Sequence, residues 1–342
     1  MAGKVLLSGA TGFIAGHTIE QLLAAGYEVT GTVRNPGDKA KVAHLAAMQG
    51  AERLHLVAAD LTDPDPFTAH ADVDAILHMA SPYIITVKDA QRDLVIPAVE
   101  GTLSMLRAAK ANPRVRRVVL TSSLAAMTDA PDGRVLSEAD WNTKSTLKRN
   151  PYYYSKTLAE RAAWDFMARE KPKFDLVAIN PFLVIGPSLS GGLNPSTQII
   201  ADVVNGKYPA VMDLTWGFAD VRDVAAAHIA ALKKPAAAGR YLCASGTMHA
   251  REVMAEIRAL GYGAKLPRLD LSGPFGIRLS KLISYTQPAG VGSYLRSHLG
   301  GVMRLDNSKS VRDLGITYRS QKDSLRDTLA DLERSRHIPA RA

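Results

Sequence analysis

The chain opens with a short apolar run, Val5–Ser8, that passes through Gly9-Ala10-Thr11-Gly12-Phe13-Ile14-Ala15 into an amphipathic stretch, Ile14–Ala25, closed by Gly26. A strand that enters a glycine turn and leaves it as a helix is the first half of a βαβ unit. Gly9 permits the tight turn, Gly12 lets backbone approach a pyrophosphate, and small Ala15 allows close helix–strand packing. The helix start then offers unpaired N–H groups and a positive dipole end to phosphates. Gly9, Thr11, Gly12, Phe13 and Ile14 are therefore candidate cofactor-binding residues. Gly186–Gly192 also contains glycines but lacks a strand before it and a helix after it, so it reads as a loop.

The rhythm continues through the first half of the chain. Strands are expected at Glu28–Val33, Leu54–Ala58, Ala75–Met79, Arg117–Thr121 and Asp175–Asn180, with helices at Lys39–Met48, Leu94–Ala111 and Pro151–Arg169. Such alternation argues for an α/β fold of Rossmann type, a doubly wound parallel sheet with ligand at the strands' carboxyl ends. After Pro181 the pattern loosens. A helix is expected at Ser196–Asn205, and a strand end with helix at Asp220–Lys233. A strand at Gly239–Ala244 follows, and both of these last two segments are expected to rejoin the main sheet. Helices in Arg251–Arg304 suggest a smaller lobe, and a last helix at Gln321–Arg334 precedes a tail expected to be mobile. The expected division is residues 1–182 plus 214–247 for a nucleotide-binding domain, and 183–213 plus 248–342 for a C-terminal substrate lobe.

The end of the second strand selects the cofactor. An acidic residue there suits the ribose hydroxyls of NAD, whereas Arg suits the 2′-phosphate of NADP. Here Val33 runs into Arg34-Asn35-Pro36, with Lys39 and Lys41 close behind, so NADP(H) is expected with Arg34 as the clamp. Asp60-Leu61, just past the third strand, is placed to meet the adenine edge, or to cap a turn.

The chemistry is suggested by Ser122-Ser123 and, further on, Tyr152-Tyr153-Tyr154-Ser155-Lys156. On a helix Tyr152 and Lys156 stand one turn apart on one face. A cation there favours the phenolate and brings an ordinary phenol, near pKa ~10, toward the working range. A serine hydroxyl from a separate strand end can hold a carbonyl oxygen beside that phenol while hydride reaches carbon. Tyr318 and Lys322 repeat the spacing with neither a serine pair nor a phosphate loop, so the pair alone is noise.

Composition narrows the remaining classes. Lys and Arg exceed Asp and Glu by 42 to 33, mostly after Gly239, without the motifs of a nucleic-acid binder. Cys243 is the only cysteine, which excludes an intrachain disulfide and a cysteine-based metal site, and it reads as a buried strand residue. The nine histidines show no metal-ligand spacing, so no metal is expected. No stretch approaches the ~20 apolar residues of a membrane span, and the N-terminal run is too short for a signal-peptide core. A cytoplasmic protein, monomeric or homodimeric, is the simplest expectation.

With these residues in hand, the chain resembles an extended short-chain dehydrogenase/reductase, of the branch of dihydroflavonol-4-reductase-like and methylglyoxal or aldehyde reductases. The resemblance is carried by Gly9–Ala15, Thr32-Val33-Arg34, Asp60-Leu61, His78–Pro82, Thr121-Ser122-Ser123 and Tyr152–Glu160. Asn180–Pro187, Asp220–His228 and Asp306–Leu314 extend it over nearly the whole length. It implies Ser123 as catalytic serine, Tyr152 as proton donor and Lys156 as the residue that binds the nicotinamide ribose and tunes Tyr152. It implies Arg34 and Lys41 at the cofactor phosphates, Asp60 and Leu61 at adenine, and Ala80, Ser81 and Ser122 toward the nicotinamide. Pro181 and Val184 would pack under the carboxamide end, and Ser196 would reach a phosphate.

Departures from relatives bear on substrate. Thr128 stands where plant dihydroflavonol reductases place a ring-recognising Asn, and Pro151 and Tyr153 stand where cinnamoyl-CoA reductases flank the catalytic Tyr with Trp and Cys. Tyr83, Met127, Phe182, Met212 and Trp216 follow elements converging at the nicotinamide end; taken singly each fits core, and together they suggest an apolar substrate pocket. No arginine pair is evident there to grip a carboxylate or diphosphate. The expected activity is an NADPH-dependent carbonyl reductase acting on an uncharged aldehyde or ketone. Two alternatives share the pattern, a sugar-nucleotide epimerase or dehydratase and a non-catalytic NADP-sensing regulator.

Overall fold

The computed structural model describes residues 3–82 and 87–341. The first half runs β1 (Lys4–Ser8), α1 (Phe13–Ala24), β2 (Glu28–Val33), α2 (Lys39–Ala46), β3 (Leu54–Ala58), β4 (Ala75–His78), α3 (Ile96–Ala111), β5 (Arg117–Thr121), β6 (Val135–Leu136), α4 (Pro151–Glu170) and β7 (Asp175–Pro181). The second half runs β8 (Leu183–Ile185), α5 (Pro195–Val204), β9 (Ala210–Met212), β10 (Thr215–Asp220), α6 (Val221–Lys233), β11 (Gly239–Cys243), β12 (Gly246–His249), α7 (Ala250–Ala259), β13 (Leu269–Leu271), α8 (Pro274–Ile283), α9 (Ala289–His298), β14 (Arg304–Leu305) and α10 (Gln321–Arg334).

Seven strands form a wholly parallel sheet in the order β3-β2-β1-β4-β5-β7-β11. Its central strands are apolar along their length, as strands covered on both faces must be. On one face α1 packs on α6, sealing Ile19, Leu22, Leu23, Val224 and Ala227 against Leu7, Val119 and Val177. On the other, α3 packs on α4 over Leu6, Ile76, Val118 and Leu176. The strand order reverses between β1 and β4, where such sheets open a ligand crevice.

Two expectations change here, and a third reading is supported. The strand ending at Asp220 does not rejoin the main sheet. β11 already occupies the free side of β7, so β10 pairs instead with β8 in parallel and with β12 antiparallel. Only α6 and β11 return to the large sheet. The segment after α10 is also tied down: the His337 carbonyl accepts from Asn205 Nδ2 at 2.9 Å, its Nε2 meets the Gly191 carbonyl at 2.8 Å, and Ile338 is buried. The second Tyr/Lys pair is split by the start of α10. Tyr318, in the preceding coil, bonds Ser310 Oγ at 2.8 Å, while Lys322 pairs with Glu256 at 2.9 Å.

A second apolar cluster joins α5, α7, α9 and α10 with the small sheet through Ile200, Trp216, Phe218, Val253, Leu295 and Leu329. It stands beside the carboxyl ends of the large sheet. No described helix is long and apolar enough to cross a membrane.

Candidate active site

Gly9 adopts φ +73°, a conformation open to glycine at little cost, and a Cβ there would meet the Ala80 backbone at 3.1 Å. At Gly12 a Cβ would meet the Gly9 carbonyl at 3.0 Å. Backbone bonds fix the turn, with Gly12 N–H donating to the Gly9 carbonyl at 2.8 Å and Ala10 N–H to the Thr32 carbonyl at 2.9 Å. Ser8 Oγ accepts the N–H groups of Met79 and Ala80, each at 3.0 Å, and so joins the ends of β1 and β4. Helix α1 has no side-chain cap, so the N–H groups of its first turn point outward with the dipole behind them. A compact, bare anion cradle results.

The catalytic candidates come from two other elements. β5 ends at Thr121, and Ser123 begins a short turn in which its Oγ accepts from Ala125 N–H at 3.1 Å. Pro151 opens α4, where its missing N–H costs nothing. Tyr152 therefore falls in the first turn of α4, and Lys156 and Glu160 follow at successive turns of the same face. Lys156 is buried, and burial pulls its ammonium down to about 8 against the opposing influence of Glu160. The neighbouring His78 is held at about 3, chiefly by burial and secondarily by Lys156.

One cavity of about 610 Å³ brings these pieces together. Gly9, Gly12, Phe13, Ile14, Ser81, Ser122, Ser123, Tyr152, Lys156, Pro181, Val184 and Ser196 line its cofactor side. Phe182, Met212 and Trp216 line the far side with other apolar and aromatic groups, among them Met254, Ile283 and Tyr294. Among the described lining residues there is no arginine, and the second lysine, Lys207, is paired with Asp202 at 2.7 Å.

Other expected site residues lie elsewhere. Met127 is buried with Leu124, Leu136, Leu242 and Met303, so it is a core residue rather than part of the pocket wall. Thr11 is exposed on the glycine turn, and Ala80 packs behind Gly9. Arg34 is exposed at the end of β2, while Lys41 pairs with Asp38 at 3.2 Å. Asp60 Oδ1 accepts from Thr62 N–H and Oγ1, so it caps a turn. Those bonds, with a smaller contribution from Arg34, hold its carboxyl below the usual range. Leu61 packs over Gly101 of α3. Tyr83 lies outside the described residues.

The structure adds residues the sequence did not single out. Asn150, Tyr153 and Tyr294 also line the cavity. Asn180, at the end of β7, donates to the Ser123 carbonyl at 3.1 Å and to Glu160 Oε2 at 2.7 Å. Glu160 closes the Tyr152–Glu160 stretch, and its place on the Tyr/Lys face was the available signal. Among the described residues no cluster of His, Cys, Asp and Glu could hold a metal ion. Cys243 is buried in β11, and burial pushes its thiol up to about 12.

The chain is similar to known proteins over nearly its whole length. Tetraketide alpha-pyrone reductase 1 of Arabidopsis thaliana is 35% identical over 96% of this chain and 95% of its own length. A putative NADPH-dependent methylglyoxal reductase, GRP2 of Candida albicans, is 35% identical over 96% of this chain and 98% of its own. The crystal structure of yeast methylglyoxal/isovaleraldehyde reductase Gre2 complexed with NADPH superposes with a TM-score of 0.79 at 29% identity, covering 98% of this chain and all of that one. The sequence pattern of the NAD dependent epimerase/dehydratase family matches residues 5–244, and this chain belongs to that family.

Proposed function

We propose that this NADP-dependent oxidoreductase is a carbonyl reductase that converts an uncharged ketone or aldehyde to an alcohol, reversibly. One observation carries the reading. Ser123, Tyr152 and Lys156 share a single cavity with the Gly9–Gly12 turn, and the wall beyond them is apolar. The residues present fit the dinucleotide. Gly9 and Gly12 leave space that side chains would fill, the start of α1 suits a pyrophosphate, and Arg34 is exposed at the end of β2, the position at which an arginine suits a 2′-phosphate. NADPH, when bound, supplies hydride to the carbonyl carbon.

The chain's own groups do the rest. Tyr152 donates the proton to the carbonyl oxygen, and Ser123 Oγ holds that oxygen by a hydrogen bond. Lys156 favours the phenolate left behind and contacts the nicotinamide ribose. The apolar wall excludes water from the reacting carbon. Asp60 and Leu61 border the adenine end, and residues 183–213 with 248–342 act as the substrate lobe. Among the described lining residues no arginine stands ready to grip a second diphosphate on the apolar side, which favours an uncharged substrate over a sugar nucleotide.

Tyr152→Phe tests the reading directly. Turnover of NADPH with a panel of aldehydes and ketones is expected to fall about 10²–10⁴-fold, the range of a lost proton donor, with NADPH binding retained. Undiminished turnover in that variant would remove the assignment. Conversion of a UDP-sugar without net coenzyme oxidation would move the protein to the epimerase class.

A further inference from the structure

Glu160 is a buried acid that the reduction described above does not use. It is 1% exposed, on the face of α4 that carries Tyr152 and Lys156. Its carboxylate is fully subscribed. Oε2 accepts from Ser122 Oγ at 2.5 Å and Asn180 Nδ2 at 2.7 Å, and Oε1 accepts from Trp164 Nε1 at 3.2 Å. Arg240 of β11 approaches with Nε at 2.6 Å from Oε1 and Nη2 at 3.3 Å from Oε2. The guanidinium is itself held, stacked 3.9 Å over Trp141 and donating to the carbonyls of Glu138 and Asp140.

Four elements meet at this one carboxylate, and two of its donors sit at the catalytic serine. Ser122 precedes Ser123, and the same Asn180 amide that reaches Glu160 also donates to the Ser123 carbonyl at 3.1 Å. The opposite amide orientation would aim oxygen at two acceptors, so the donor assignment is fixed, and Asn180 Oδ1 is left buried without a partner. A buried ion pair is a poor route to stability, since apolar replacement of such pairs is often neutral or favourable. The arrangement calls for a role in geometry and charge.

We propose that Glu160, which touches no reacting atom, is a positioning residue for the reduction. It fixes the strand end bearing Ser123 against the helix face bearing Tyr152 and Lys156, and keeps a negative charge one turn from the Lys156 ammonium. This rests on the carbonyl-reductase reading of the site. Among the described residues, the charged and titratable groups around Lys156 include Tyr152 and Glu160 on its own helix, His78 from β4, and Arg240 from β11 behind Glu160. His78 stays neutral with Nδ1 engaged by Ser8 Oγ at 2.9 Å. Behind Arg240, the Glu138 carboxylate accepts from Leu242 N–H at 2.9 Å and the Lys309 ammonium donates to the Arg240 carbonyl at 2.8 Å.

Removing a carboxylate makes every nearby deprotonation easier, so the sign of the effect is set. In Glu160→Gln, kcat is expected to drop about tenfold at neutral pH, and the alkaline limb of its pH profile to move down by about half a unit or more. KM for NADPH should change less than kcat, because the bonds of Glu160 run to Ser122, Asn180, Trp164 and Arg240 rather than to the Gly9–Gly12 turn. Glu160→Asp keeps the charge and is expected to keep the limb while losing rate. Glu160→Gln leaves Arg240 unpaired and can fail to fold, so the double variant Glu160→Gln/Arg240→Met, which removes both charges, is measured alongside. It should show a smaller shift in the same direction. An unmoved limb in the folded variants overturns the proposal, and so does failure of both to fold, which would make the pair purely structural. An inactive Tyr152→Phe beside an unmoved limb sinks this inference alone, whereas an active Tyr152→Phe sinks the reading beneath it.

Discussion

Asn150 donates its backbone N–H to Ser293 Oγ at 3.0 Å, which joins the residue before α4 to α9 of the opposite wall. Its side-chain amide adds a second bond, Nδ2 to Ser297 Oγ at 2.8 Å. Asn150 adopts φ +48°, a left-handed conformation that asparagine tolerates and most residues resist. Asn150→Leu is expected to lose about 1–3 kcal/mol in urea unfolding, from strain plus the lost bond. Asn150→Gly, which keeps the backbone shape, should lose less. Equal losses would mean that the conformation is unimportant.

Lys156 governs a pH window. Its folded value of about 8 lies below the 10.5 of the free amine, so the unfolded chain holds the extra proton between those values. Stability should therefore rise as pH climbs through that window. Reductase turnover should fall over the same range as the ammonium is lost. Lys156→Met is expected to be inactive yet more stable than the parent at pH 7, by on the order of 1–3 kcal/mol. Calorimetry against pH checks the first statement and steady-state rates the second.

Arg34 and Lys41 should separate in coenzyme binding. Arg34 is exposed at the end of β2, whereas Lys41 is committed to Asp38 at 3.2 Å. Arg34→Ala is expected to weaken NADPH about tenfold or more while NADH changes little, the cost of a lost charge-assisted phosphate contact. Lys41→Ala should change NADPH by less than about threefold, in keeping with an exposed, already paired charge. Fluorescence titration of both coenzymes reads all four values.

Three buried histidines predict acid sensitivity. Burial holds His78 near 3, and His228 and His298 near 4, against an ordinary 6.5. They stay neutral in the fold and gain protons on unfolding. Their contribution is complete above pH 6.5 and is lost as pH falls toward 4, at up to about 1.4 kcal/mol per pH unit for each. Melting temperature should drop steadily between pH 6.5 and 4.5. His228 bonds Thr121 Oγ1 at 2.7 Å and the Val224 carbonyl at 2.8 Å, so His228→Asn should flatten part of that slope.

The large sheet was legible because each of its βα units carries a local signal. Glu28–Val33, Leu54–Ala58 and Arg117–Thr121 appear where the alternation puts them. The partner of β10 was not legible, because a short strand pairs with whichever edge is free, and that depends on β11 arriving beside β7. Met212 and Met127 look alike in sequence, yet one faces the cavity and the other the core, a distinction that only packing draws. Asp60 caps a turn through Thr62, two residues away, which is one of the two roles its place after the third strand offered. The segment after α10 looked free because its few apolar residues give no periodic signal, although Ile338 finds a buried seat.

The cavity's two sides come from different stretches of chain. The end that would hold the coenzyme is built by residues up to Lys156 together with Pro181, Val184 and Ser196, whereas the apolar side draws on Phe182, Ile199–Trp216 and Ala250–Leu295. On the carbonyl-reductase reading proposed above, substitutions among Met212, Trp216, Met254 and Ile283 would alter which compounds are admitted while leaving the opposite wall in place. An evolving lineage, or an engineer, could diversify the guest while leaving the proton and hydride hardware alone.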